Sequence, residues 1–177
     1  MTRHADFSQS SLTSFLKRSA NPRIPRQEHQ TEWDKVHPAR HVYDWAAIDD
    51  HIQFAHDNHQ QIFVKLSPVN RRGDPPAWIF REGVPQCSDS VHTYGYYLDP
   101  DYKTFHAEMV MALGHHLRNE LPAHLREAVS FVRVDTGATG DESPYEHADE
   151  VESGCQISDE EVSFFLLFLG VSQGFGG

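Results

Sequence analysis

Two acidic side chains stand together late in this sequence, Asp141 and Glu142, directly after the run Gly137-Ala-Thr-Gly140. A carboxyl group can give or take a proton at a reacting bond, and a carboxylate can attack or stabilise an electron-poor centre. Neighbouring side chains point in different directions, so only one of the two can face a pocket. The plainer alternative is that Asp141 caps a turn and Glu142 is solvated. Asp135, nearer the preceding apolar run, is the third carboxylate of the cluster. Trp33, Trp78, Tyr94, Tyr96 and Tyr97 offer flat apolar faces with polar rims, which suit a ring-shaped, hydroxyl-bearing ligand as well as ordinary packing. Trp45 belongs by its spacing to the apolar face of a helix. Lys65 and Arg133 sit inside otherwise apolar runs. They either project into a polar interior and pair with carboxylates, or lie on an exposed sheet edge.

Other chemistries find less support. The 13 histidines cluster at His37/His41, His51, His56, His59 and His115-His116. A metal site needs three or four converging ligands, there is no HExxH motif, and His51 and His56 are five apart and share no helical face. No metal is expected, and the histidines are read as surface residues. Neither a G-x-S-x-G elbow nor a phosphate-binding GxxxxGK[ST] loop occurs, and no cofactor is implied. With 26 acidic against 15 basic side chains, the net charge of −11 argues against nucleic acid or an anionic membrane surface as partner. Cys87 and Cys155 are far apart, without CxxC spacing, so no disulfide framework is signalled and a reducing, cytoplasmic compartment is the simpler expectation.

These residues need elements to hold them. Residues 1–30 are polar, lack the apolar core of a secretory signal, and read as a disordered leader, with a transit peptide as the alternative. Pro22 and Pro25 interrupt the approach to Trp33, and no strand is assigned before it. Trp45, Ile48, Ile52 and Ala55 recur at helical spacing after Asp44, a candidate N-cap, and this helix ends near Asn58. Gln61-Ile-Phe-Val-Lys-Leu-Ser67 follows as a largely buried strand. A long irregular segment at 69–99 leads to a second helix at 100–118, with Phe105, Met109, Ala112, Leu113 and Leu117 on its apolar face. Val129-Ser-Phe-Val-Arg-Val134 is the next strand, and the polar cluster at 135–142 follows its end. Helix and strand alternate as in an α/β fold with parallel strands, whose ligands lie at the strands' carboxyl ends. Ser158 and Glu161 have capping-box spacing ahead of the apolar run at 162–171, which is too short to span a bilayer.

Four pieces of sequence then carry a resemblance. Trp33-Asp-Lys-Val-His-Pro38 with Val42-Tyr-Asp-Trp45 and Ile48-Asp49 resembles the stretch from the second strand to the second helix of family 42-like glycoside hydrolases. Pro75-Pro-Ala-Trp-Ile-Phe80 with Gly83-Val-Pro85 is similar to their loop after the third strand, and Leu98-Asp-Pro-Asp-Tyr102 to the entry of their third helix. The run at 129–134 stands for the fourth strand, so the similarity covers about residues 31–162. Two departures stand out: His37 replaces a usual Glu, and His41 a common Gly.

The resemblance implies a partial (β/α)8 TIM barrel, roughly strands 2–4 with their helices, and a carbohydrate substrate of β-galactoside type. It implies a carboxylic general acid/base at Asp141 or Glu142, with Asp141 favoured by the glycine-containing turn before it. Trp33, Trp78, Tyr97 and Lys65 become candidate sugar contacts. Glycosidic cleavage needs two carboxylates, about 5–5.5 Å apart for retention or about 6.5–9.5 Å for inversion. A complete barrel takes about 250 residues, and the second carboxylate is expected after the seventh strand, beyond this sequence. Residues 163–177 are accordingly read as a possible non-native tail of a truncated product. Exposed sheet edges are expected to favour self-association. The alternative function is a non-catalytic carbohydrate-binding or vestigial module.

Overall fold

In the computed structural model the described residues are 26–69, 75–135, 145, 147, 149–158, 160 and 161. Three parallel strands form the sheet. These are β1 (Arg26–Glu32), β2 (Gln61–Ser67) and β5 (Val129–Val134), in the spatial order β1-β2-β5. β1 leads through a short α1 (Trp33–Val36) into α2 (Ala46–Asp57) and then β2. From β2 the chain passes α3 (Trp78–Arg81), the antiparallel hairpin of β3 (Gln86–Ser88) and β4 (Thr93–Gly95), and α4 (Pro100–His115). A π-helical turn, His116–Glu120, and α5 (Ala123–Arg126) complete the way to β5. Helices therefore occupy both crossovers, as parallel strands require.

The core lies where the helices meet one face of the sheet. Ile62, Val64 and Leu66 alternate along β2 and are fully buried, against Ile48, Ile52 and Ala55 of α2 and Tyr102, Phe105, Met109 and Leu113 of α4. Burying each such branched side chain contributes about 1.5–3 kcal/mol. The helix starts are also encoded locally. The N-cap of α2 is Trp45, without a side-chain cap, rather than the expected Asp44, whose Oδ1 accepts from the Ala46 amide from one residue further out. Asp99 caps α4, its Oδ1 accepting from the amides of Asp101 and Tyr102, with Pro100 in the first helical turn.

The two strands read at 61–67 and 129–134 have those bounds. The second helix changes to π geometry at His116 and continues to Glu120. Ser158 Oγ and Glu161 form the reciprocal bonds of a capping box; the apolar run after it lies outside the described residues. The described residues contain no closed barrel, and β1 and β5 are the sheet's outer strands.

Three expectations are corrected. A strand does precede Trp33: β1 takes its register wholly from β2, Arg26 opposite Gln61 through Glu32 opposite Ser67. Its sequence, Arg-Gln-Glu-His-Gln-Thr-Glu, has a single β-branched residue, Thr31, and no apolar one, so pairing rather than propensity makes it a strand. The irregular 69–99 segment contains α3 and the hairpin. The cysteines are joined: Cys87 and Cys155 form a disulfide across 68 residues, with Cα atoms 5.9 Å apart. They therefore lend no support to a reducing compartment. No described helix is long and apolar enough to cross a membrane.

Candidate functional site

Alternation along the strands separates two faces. Opposite the helix-packed face, Phe63 and Lys65 of β2 stand in register with Phe131 and Arg133, and Ser67 at the end of β2 bonds Asp135 just past β5. A register shift between Ile62 and Phe63 creates this match, because it brings Phe131 rather than Ser130 opposite Phe63. The two rings stack with centroids 4.9 Å apart, and one step further along Lys65 lies opposite Arg133. Gln30 and Glu32 of β1 are the partners of Lys65 and Ser67 on the other side.

Asp135 is the centre of this polar end. Its amide extends the ladder past β5 by bonding the Leu66 carbonyl at 2.9 Å. Its carboxylate, 1 % exposed, accepts from Ser67 Oγ at 2.7 Å and lies 3.1 Å from Lys65 Nζ through Oδ2. Arg133 Nε approaches Oδ1 at 2.8 Å, an ion pair rather than a directed hydrogen bond. Two cations facing one buried anion make an organised polar floor at the carboxyl ends of β2 and β5. Lys65 and Arg133 remain partly open to solvent, at 17 % and 25 % of their side chains. The charged strand residues thus pair with a carboxylate, one of the two arrangements that their positions allow.

The aromatic candidates sit elsewhere. Trp33 is fully buried and donates its indole N–H to His37 Nδ1 at 3.1 Å. Trp78 is 4 % exposed and donates to the His37 carbonyl at 2.8 Å. Tyr97, 2 % exposed, packs against Tyr102 and Tyr145. In this arrangement the three rings fill the core, and of the four candidate sugar contacts only Lys65 reaches the polar floor. Asp141 and Glu142 lie outside the described residues.

His37 is the hub that sequence reasoning missed. It is fully buried, stacked on Tyr43 at 4.5 Å and edge-on to Trp78 at 4.7 Å, and burial, helped by His41, lowers its pKa to about 4. His29, His92, His106 and His116 are buried as well, which corrects the expectation of surface histidines. Burial alone lowers His106 to about 4. At His116 burial acts downward, but bonds to Asp49 at 2.7 Å and Glu120 at 2.8 Å prevail and raise its pKa. His41 adopts φ 60°, the left-handed region in which Gly is the easiest residue, so the departure noted at that position carries a backbone cost. Among the described residues no group of three or more His, Cys, Asp or Glu side chains could hold a metal ion.

No family model matches this chain, and no curated protein matches it. Among solved structures it is similar to a crystal structure of a GH5_18 from Bifidobacterium longum subsp. infantis, at 15% identity and a TM-score of 0.46. The match covers 93% of this chain and 36% of the other, so the chain spans about a third of that protein's length. That family label, GH5, differs from the family 42 that the sequence pieces resemble. A likeness this distant says nothing of activity.

Proposed function

We propose that the chain is a glycoside hydrolase-like domain that holds a carbohydrate at the carboxyl ends of its parallel strands. The observation that carries this reading is the Asp135 floor. Lys65, Arg133 and Ser67 converge on one buried carboxylate at the strand ends, where parallel α/β sheets bind ligands. The partly open ammonium and guanidinium groups can donate to sugar hydroxyls while Asp135 fixes their direction. The four family-like sequence pieces support the same reading, with β1, β2 and β5 standing for the second, third and fourth barrel strands.

In the finer form of the proposal, Asp141 or Glu142 is the general acid/base that protonates the leaving oxygen. A family 42-like enzyme also needs a second carboxylate on the opposite side of the anomeric carbon. The substrate class is then a β-galactoside or a related glycan. Hydrolysis of a 4-nitrophenyl β-galactoside tests it. The expected result is turnover by this chain, alone or with a complementing barrel fragment, that Asp141→Asn or Glu142→Gln abolishes. Turnover unchanged in both variants overturns the acid/base assignment.

A second reading, a binding module without turnover, draws on Asp135 itself. Its carboxylate is already engaged by two cations and a hydroxyl, an arrangement suited to holding shape. Sugar binding that is lost in Lys65→Met, with no hydrolysis under any condition, selects this reading.

A further inference from the structure

The chain beyond β5 returns to the hairpin, and its links there differ in strength. Glu152 clasps Ser88 through both the amide, at 3.1 Å, and the hydroxyl, at 3.0 Å, and Glu150 accepts from the Ser90 amide at 3.2 Å. Tyr145 donates to the Cys155 carbonyl at 2.8 Å and sets its ring edge-on to Tyr94 and Tyr97. The polar clasps are exposed, where water competes with each of them. Only the Cys87–Cys155 bond is covalent. Cys87 is fully buried, whereas Cys155 sits at 9 % exposure between the exposed residues Gly154 and Gln156. A small opening of that turn brings a thiolate to the Cys155 sulfur.

We propose that the Cys87–Cys155 disulfide is a redox-sensitive tether, whose reduction by a dithiol frees Tyr145 and residues 149–158 from the β3–β4 hairpin while the three-stranded sheet and its helices stay folded. A dithiol thiolate attacks Cys155 Sγ, the S–S bond breaks, and Cys87 leaves as a thiolate that takes up a proton. The second thiol of the reductant then displaces Cys155, which is protonated in turn. Two electrons and two protons pass to the protein, and the reductant closes to its own disulfide. Release uncovers Tyr145 and Val151, both buried in the tethered form. The sheet survives because β1, β2 and β5 are held by their ladders and by α2 and α4, none of which includes a residue of 145–158.

Hydrogen exchange of the full chain, oxidised in air and then treated with dithiothreitol, tests the tether. Exchange in peptides covering 86–95 and 145–158 is expected to speed up by about tenfold or more on reduction, with 61–67 and 129–134 unchanged. The Cys87→Ser/Cys155→Ser double variant should show the reduced pattern and ignore dithiothreitol. Two free thiols in the air-oxidised protein, no change on reduction, or loss of protection in all peptides together would overturn the proposal. So would a double variant that fails to fold. None of these outcomes depends on what the sheet binds.

Discussion

His37 accepts the Trp33 indole N–H through Nδ1, so its own proton sits on Nε2 and a second proton must displace the bond. Its folded pKa, about 4, lies below the ordinary 6.5, so the unfolded chain binds the extra proton first. Stability is therefore lost as pH falls from 6.5 towards 4, by up to about 3 kcal/mol for a shift of this size. His106 adds a loss of the same sign in the same window. His116 has the opposite sign: its raised pKa gives stability that is complete below 6.5 and disappears as pH climbs through the folded value. Urea unfolding across pH should show a maximum near 6.5. His37→Asn should make the acid limb shallower, and His116→Gln should flatten the alkaline one; unchanged limbs contradict these roles. At Asp135 the prediction concerns charge. Asp135→Asn leaves Lys65 and Arg133 facing each other without the anion, and a loss of about 2–3 kcal/mol is expected at pH 7. A loss no greater than that of an exposed Asp would refute the floor. Residue types announced the charges, since Lys65 and Arg133 interrupt apolar strands. They could not announce Asp135 as the partner, because that pairing depends on the register of two strands 68 residues apart.

Elements with their own periodicity were legible. The strands at 61–67 and 129–134 and the helix ending near Asn58 follow from alternation and apolar spacing. β1 was not legible because its partner β2 lies far along the chain, and the hairpin was not because its strands, three residues each, are too short to show alternation. In the hairpin, Asp89 accepts from the amides of Val91 and His92 and from the Tyr94 hydroxyl, which closes the turn locally. The fit against α4 is tertiary. A Cβ on Gly95 would stand 2.4 Å from Cδ2 of buried Tyr102. Gly95→Ala must therefore push a packed ring, at a cost of about 1–3 kcal/mol, and a thermal melt with an unshifted midpoint would contradict the packing. Breaking the disulfide lifts a constraint across 68 residues of the unfolded chain. Cys155→Ser is expected to cost about 4 kcal/mol in chemical denaturation under oxidising conditions and nothing under reducing ones.

At the scale of the described residues, two βαβ crossovers build a parallel sheet with one face packed by helices, Val132 of β5 staying exposed, and the other ending in charges. Fold class was readable from the order of elements. The placement of Trp33, Trp78 and Tyr97 was not, since an aromatic in a Pro-rich loop has the same local signature whether it faces a ligand or the core. Their burial moves the proposed ligand contacts from aromatic faces to the polar strand ends. The most direct test is a titration of the isotope-labelled chain with methyl β-galactoside and β-linked disaccharides, followed by NMR. Saturable shifts centred on Lys65, Ser67, Arg133 and Asp135 are predicted, lost in Lys65→Met with the fold intact. No saturable shifts, or shifts centred away from the strand ends, would contradict the account.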